Sequence, residues 1–279
     1  MSDKKLQIKD FEKNNYFATQ ELVDVVNAAL FLDKPLLIEG PAGTGKTYLA
    51  KSLSNMLSKE LIRLQCHEGI DEDKAIYEWD YKKQLLSIQN DKNEKDLFTD
   101  EYLIERPILK SLKTSDSLFL VDEIDRSDEE FEALLLEVLA EKQVTIPELG
   151  TVAGEGNNFT ILTSNATRDL SEALRRRCIY FFLDYPSIDI ETKVILSNVE
   201  SISDEKAKKY SLFSSFIRKL NLNKPPSLIE TVEWVKYNHE NNHGELDSNI
   251  GILIKDIDDQ KLYKEKLKEN NDFKNGSVT

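Results

Sequence analysis

Gly40-Pro41-Ala42-Gly43-Thr44-Gly45-Lys46-Thr47 fits the phosphate-binding pattern G-x-x-x-x-G-K-[ST] at every fixed position. This stretch constrains the fold as well as the chemistry, because such a loop works only between a buried strand and the start of a helix. Leu36-Leu37-Ile38 before it reads as a short buried strand, and Tyr48-Leu49-Ala50-Lys51-Ser52-Leu53 after it reads as a helix. The glycines let backbone N–H groups curl around α- and β-phosphates, and the helix adds the positive end of its dipole. In such a loop the lysine, here Lys46, reaches the β- and γ-phosphate oxygens, and the hydroxyl of Thr47 is offered to Mg²⁺. Gly40, Pro41, Ala42, Gly43, Thr44, Gly45, Lys46, Thr47 and the adjoining Tyr48 are therefore the expected nucleotide-binding residues.

Further strands are expected at Leu61–Cys66, at Ser117–Val121 ending in Asp122-Glu123, at Thr160–Ser164 closing on Asn165, and at Ile179–Leu183. Apolar runs of this kind, alternating with helices, predict a parallel sheet covered on both faces. Thr19 is expected to cap a helix over 21–30, which Lys34-Pro35 ends. Ser127-Asp128-Glu129-Glu130 reads as a capping box before a helix whose apolar stripe is Phe131, Leu134, Leu135, Val138 and Leu139. Val144 to Gly154 reads as a hairpin or loop. Residues 69–113 are charged and weakly periodic, with an aromatic group at Tyr77, Trp79 and Tyr81 that reads as core in preference to a partner surface. After Tyr185-Pro186 only helical patterning remains, including a second capping box from Ser227 to Glu230. The expected organisation is an α/β nucleotide-binding domain over residues 1–186, an all-helical domain over 187–264 and a polar C-terminal tail over 265–279.

Composition narrows the function classes. With 279 residues, 40% hydrophobic and 32% charged, the chain suits one large or two modest globular domains. No apolar run approaches the ~18 residues of a membrane span. Met1-Ser2-Asp3-Lys4-Lys5 leads into no apolar signal core, so a cytoplasmic protein is expected. Cys66 and Cys178 lack metal-ligand spacing and do not cluster with His67, His239 or His243, which argues for core thiols and against zinc. The net charge of −14 argues against nucleic acid as a substrate.

The second half of a phosphoryl-transfer site is also present. Asp122 at a buried strand end is placed to hold Mg²⁺ opposite Thr47, and Glu123 beside it is a candidate general base for a water attacking the γ-phosphate. Asn165 is a candidate to hold that water. Guanine readers carry an N-K-x-D segment; Asn93-Glu94-Lys95-Asp96 does not fit it, which favours adenine. Arg175-Arg176-Arg177 cannot share one helix face, and one of them is placed to project across a subunit boundary as an arginine finger. Cations are also favoured at a helix C-terminus by its dipole, so the residues alone leave both roles open.

Together these residues resemble the AAA+ superfamily of ATPases and, within it, the MoxR family. Gly40–Thr47 stands as Walker A, Phe119–Arg126 as Walker B, and Asn165 as sensor 1, with Glu141-Lys142-Gln143-Val144-Thr145-Ile146 following the intervening helix. Leu64–Ile70, Ala75–Tyr81, Ile146–Gly150, Leu162–Asn165 and Arg176-Arg177-Cys178 look like the CoxD-like branch associated with carbon monoxide dehydrogenase maturation. The likeness runs over about residues 16–259. It implies a three-layer P-loop α/β core with a helical lid and a hexameric ring with ATP and Mg²⁺ between subunits. It also implies a partner carrying a von Willebrand A domain and a chaperone-like role in maturing a metalloenzyme or complex. It makes Arg177 the finger, with Arg176 as the second choice, and sets Arg126 at the subunit interface. The lid departs from the family pattern: Pro226-Ser227-Leu228-Ile229-Glu230-Thr231 has no sensor-2 arginine, leaving Lys224 or Arg218 as substitutes. The expected function is an ATPase that remodels a partner, with a nucleotide-gated binding scaffold as the alternative.

Overall fold

The computed structural model describes residues 5–90, 97–154, 156–241, 246 and 248–269. The first four residues, the Asn93–Asp96 string, His243 and the tail beyond 269 lie outside the described residues. Helices α1 (Ile8–Lys13) and α2 (Gln20–Leu32) precede β1 (Leu36–Glu39) and α3 (Lys46–Leu57). Next come β2 (Glu60–Gln65), α4 (Glu72–Ile76), β3 (Tyr77–Trp79), α5 (Tyr81–Asn90), β4 (Leu103–Glu105) and α6 (Pro107–Lys113). Then follow β5 (Ser117–Asp122), α7 (Glu129–Glu141), β6 (Gln143–Ile146), β7 (Gly150–Ala153), β8 (Phe159–Ser164), α8 (Glu172–Arg177) and β9 (Ile179–Phe182). The remaining elements among the described residues are helices: α9 (Ile188–Asn198), α10 (Asp204–Arg218), α11 (Leu228–Glu240), α12 (Ile250–Leu253) and α13 (Ile257–Glu269). No helix among the described residues is long and apolar enough to cross a membrane.

Packing divides the chain into two compact units. The first holds the chain up to Asn14, Thr19–Gly40 and Lys46–Phe182; the second holds Asn15–Ala18, Pro41–Gly45 and the chain from Leu183 onward.

The first unit is built on a five-stranded sheet in the order β2-β5-β8-β1-β9, flanked by helices. Every strand pair in it is parallel. All residues of β1 and β5 are buried, as strands shielded on both faces require. Because β8 lies between β1 and β5, their registers align Leu37, Leu162 and Val121 in one row. Asp122 and Thr163, one residue further on, therefore emerge side by side at the C-terminal edge. Thr19 caps α2 by accepting from the Leu22 N–H at 3.2 Å. β6 and β7 form an antiparallel hairpin.

Two local expectations change. The segment 69–113 condenses into short elements, and α6, opened by Pro107 in its first turn, buries Ile108, Leu109 and Leu112. Trp79 is buried edge-on against Tyr77 and Phe98, with ring centroids 5.9 and 5.2 Å away, whereas Tyr81 is exposed on α5. Ser127 does not cap α7. It closes a 3-10 turn at Ile124–Arg126, its hydroxyl donating to the Ile124 carbonyl at 2.8 Å. Asp128 takes the cap instead, accepting from the Phe131 N–H at 2.9 Å.

The second unit packs its helices around Trp234, which stacks on Phe213 at 5.3 Å and meets Tyr210 edge-on at 5.0 Å. Tyr263 and Leu267 of α13 join that core, so the helix continues past residue 264 to Glu269. Ser227 and Glu230 make a complete capping box at α11, with bonds of 3.2 and 2.8 Å.

Candidate active site

Lys46 opens α3 and is buried, its ammonium donating to the Gly40 carbonyl at 2.7 Å. Burial pulls this amine down to about 8, against the attraction of Asp125, Asp122, Glu123 and Glu39. Thr47, next on the helix, donates its hydroxyl to the Asp122 carboxylate, 3.0 and 3.1 Å from its two oxygens and 75 residues away in the chain. Asp122, 2% exposed, also accepts from the Thr163 hydroxyl. Arg63 of β2 completes its surroundings, with Nε at 2.9 Å and Nη2 at 2.6 Å from Oδ2.

Glu123 turns the chain off β5 in a left-handed backbone conformation, φ 58°. Its N–H donates to Thr163 Oγ1 at 3.0 Å, and its carboxylate pairs with Arg126 at 3.1 Å. Asp125 is buried and accepts from the Asn165 N–H at 3.0 Å, the Thr167 N–H at 3.1 Å and the Thr167 hydroxyl at 2.6 Å. Burial pushes its carboxyl up, but these hydrogen bonds outweigh it and hold the group below the usual carboxylate range. Asp125 thus fixes the loop that carries Asn165. The Asn165 side-chain amide is half-buried and has no hydrogen-bond partner among the described residues.

The glycine loop has its own geometry. Gly43 and Gly45 have φ of 75° and 100°, which side-chain-bearing residues rarely adopt. A Cβ on Gly43 would sit 2.2 Å from the Ser227 Cβ, and the Leu228 N–H donates to the Gly43 carbonyl at 3.3 Å. The Thr44 hydroxyl donates to the Pro41 carbonyl at 3.0 Å, while Ala42 is exposed. Gly40 anchors the start of the loop by donating its N–H to the Ser164 carbonyl at 3.2 Å. Tyr48 faces outward on α3 and is exposed.

The arginines separate by environment. Arg175 bridges both oxygens of the buried Glu39 at 3.0 and 3.1 Å, and the Tyr180 hydroxyl donates to the same carboxylate at 2.9 Å. Arg176 is exposed and paired with Glu172; Arg177 is exposed and donates to the Leu136 carbonyl of α7 at 2.6 Å. Arg218 is half-buried, its side chain largely covered, and grips Glu191 with bonds of 2.9 and 2.7 Å, with Thr231 and the Pro226 carbonyl completing its contacts. Its guanidinium is committed to joining α9, α10 and α11. Lys224 is exposed, 3.7 Å from Asp256. Cys66 and Cys178 are buried and unpaired by disulfide, and burial pushes both thiols up to about 12.

Four residues of this arrangement had no role assigned from the sequence: Glu39, Arg63, Asp125 and Thr163. Their signal is position, since each lies at or near the C-terminal end of a sheet strand, but their partners stand on other strands and turns and, for Glu39, on α8. The donor chemistry around Asp122 suits a divalent cation. A buried carboxylate and a threonine hydroxyl are the hard oxygen donors Mg²⁺ takes, and the carboxylate already draws a cationic side chain.

A parallel sheet carrying the glycine loop between β1 and α3, with a helical C-terminal part, defines a P-loop nucleoside triphosphatase fold. The AAA domain of the dynein-related subfamily matches residues 35–178, and the chain belongs to that family. An uncharacterised protein of Staphylococcus epidermidis is 27% identical over 192 residues, 67% of this chain and 68% of its own length. Another from Staphylococcus saprophyticus is 26% identical over 211 residues, 73% of this chain and 76% of its own. The crystal structure of a candidate ATPase from Cytophaga hutchinsonii shares the fold with a TM-score of 0.50 at 18% identity, covering 76% of this chain. The chain spans 66% of that protein, just under two thirds of its length.

Proposed function

We propose that this chain is a Mg²⁺-dependent ATPase of the MoxR type that couples ATP binding and hydrolysis to remodelling or maturing a partner complex in the cytoplasm. The observation that carries the reading is the contact between the Thr47 hydroxyl and the Asp122 carboxylate, which brings the two halves of a phosphoryl-transfer site together. Gly43 and Gly45 shape a loop whose N–H groups take the phosphates. Lys46 exchanges the Gly40 carbonyl for the β- and γ-phosphate oxygens of ATP. Thr47 and Asp122 hold Mg²⁺, which draws charge from the phosphates when bound. Glu123 takes the proton of the attacking water, and the free amide of Asn165 orients that water. Arg177 of a neighbouring subunit neutralises the charge that develops on the γ-phosphate, with Arg176 as the second candidate. Arg175 is set aside because Glu39 holds it within its own chain.

The ring, a hexamer, is supported by family membership and by two exposed arginines at the end of α8. The partner with a von Willebrand A domain and the metalloenzyme client rest on the sequence resemblance to the MoxR family and its CoxD-like branch. ATP turnover per subunit, followed over a roughly hundredfold range of protein concentration, tests the mechanism. It is expected to rise steeply with concentration, and Arg177→Ala to lower it on the order of 10³–10⁵-fold. Flat turnover with an active Arg177→Ala would mean that each chain works alone. Bound ATP without turnover at any concentration would favour the nucleotide-gated scaffold.

A further inference from the structure

On β2, Ile62 and Leu64 are buried while Arg63 and Gln65 take the alternate face. Register pairs Arg63 with Leu120 and Gln65 with Asp122 on β5. Arg63 nevertheless reaches along the strand to Asp122 and places two N–H groups on the same oxygen, Oδ2. The pair is lopsided: the Asp122 side chain is 3% exposed and that of Arg63 46%. A carboxylate so deeply buried is costly without a cation beside it. Its partner, by contrast, is nearly half exposed, and its Nη2 donates to the Gln65 side chain on the same strand as well.

We propose that Arg63 is a built-in competitor for the divalent cation at Asp122. Its guanidinium serves as counter-ion while no Mg²⁺–nucleotide is bound, and leaves the carboxylate when the metal arrives. The inference rests on the ATPase reading, because it takes Asp122 as the Mg²⁺ carboxylate. The same contact therefore has two opposite effects: it stabilises the nucleotide-free chain and raises the Mg²⁺ concentration that nucleotide binding requires. A salt bridge with a structural role alone would have the first effect and not the second.

The test is a Mg²⁺ titration of full-length protein with a fluorescent non-hydrolysable ATP analogue, comparing wild type with Arg63→Gln and Arg63→Lys. Glutamine can still donate a hydrogen bond to Asp122 but brings no charge. The Mg²⁺ midpoint is expected to fall about tenfold in Arg63→Gln, the scale of one charge-assisted hydrogen bond. Arg63→Lys, which keeps the charge and loses the two-pronged grip, should fall in between. The melting temperature of nucleotide-free Arg63→Gln should drop, and the rise on adding Mg²⁺–analogue should exceed that of wild type. An unchanged or higher Mg²⁺ midpoint in Arg63→Gln overturns the competitor role while leaving the ATPase reading intact. A wild-type chain that binds no Mg²⁺–analogue overturns both.

Discussion

Glu123 is held in a left-handed backbone, φ 58°, which costs a residue with a side chain on the order of 1–3 kcal/mol. The Thr163 hydroxyl fixes the strained turn by accepting from its N–H. The bond that fixes the turn comes from the backbone N–H and not from the carboxylate, so glutamine at this position keeps it. Glu123→Gln is expected to bind an ATP analogue as wild type does and to hydrolyse ATP about 10²–10⁴-fold more slowly. Single-turnover hydrolysis beside equilibrium binding separates the two; full turnover would remove Glu123 from its role. Lys46 supports a second expectation. Burial lowers its amine to about 8, so between that value and 10.5 the folded chain binds less proton than the unfolded one, and stability rises with pH across that window. A polyphosphate favours the charged amine, so nucleotide binding near and above pH 8 should take up a proton and weaken as pH rises. Calorimetry in buffers of different ionisation enthalpy reads that uptake directly, and none near pH 8 would contradict the burial argument. At this scale the Walker residues were legible because their identity is local. Arg63, Asp125 and Thr163 were not, because each acts through a partner on another strand or turn.

Two copies of the same four-residue pattern behave differently at the scale of the element. Ser227 and Glu230 make the reciprocal box that S-x-x-E predicts at the start of α11. Ser127 and Glu130 do not, because the Ser127 backbone and hydroxyl both serve the 3-10 turn that follows Asp122-Glu123. The cap passes one residue along to Asp128. The pattern was visible in the sequence, but the competing turn depends on where β5 ends and how Glu123 leaves it. Asp128→Ala is therefore expected to destabilise the first unit by about 1 kcal/mol. Glu130→Gln, an exposed change in the first turn of α7 that leaves the Asp128 capping bond in place, should stay within about 0.5 kcal/mol of wild type. Denaturant midpoints of the two variants check this, and the reverse order would restore the box to Ser127. The central parallel strands β1, β5 and β8 were legible because strands buried on both faces read as unbroken apolar runs. The segment 69–113 was not, since β3 and β4 span three residues each, too short for any period to show.

The two compact units have separate apolar cores, one around Phe119, Val121 and Phe131, the other around Trp234, Phe213 and Tyr263. The sequence holds two tryptophans, and each core has one: Trp79 in the first and Trp234 in the second. Trp234→Phe therefore leaves a fluorophore reporting the first unit, and Trp79→Phe leaves one reporting the second. Separate cores predict separate cooperative transitions. In each variant the tryptophan signal should thus diverge from far-UV circular dichroism, which sees both units at once. Stability lost through the substitution would shift both signals together only if the chain unfolded as one body, so divergence within one variant reports separate transitions. A Mg²⁺–analogue should then raise the midpoint reported by Trp79, since Lys46, Thr47 and Asp122 belong to that unit. At a hundred times its dissociation constant the ligand adds about 2.7 kcal/mol to the state that binds it. Superimposed fluorescence and dichroism curves in both variants would instead mean that the chain unfolds as one body, with the two cores cooperating despite their separation.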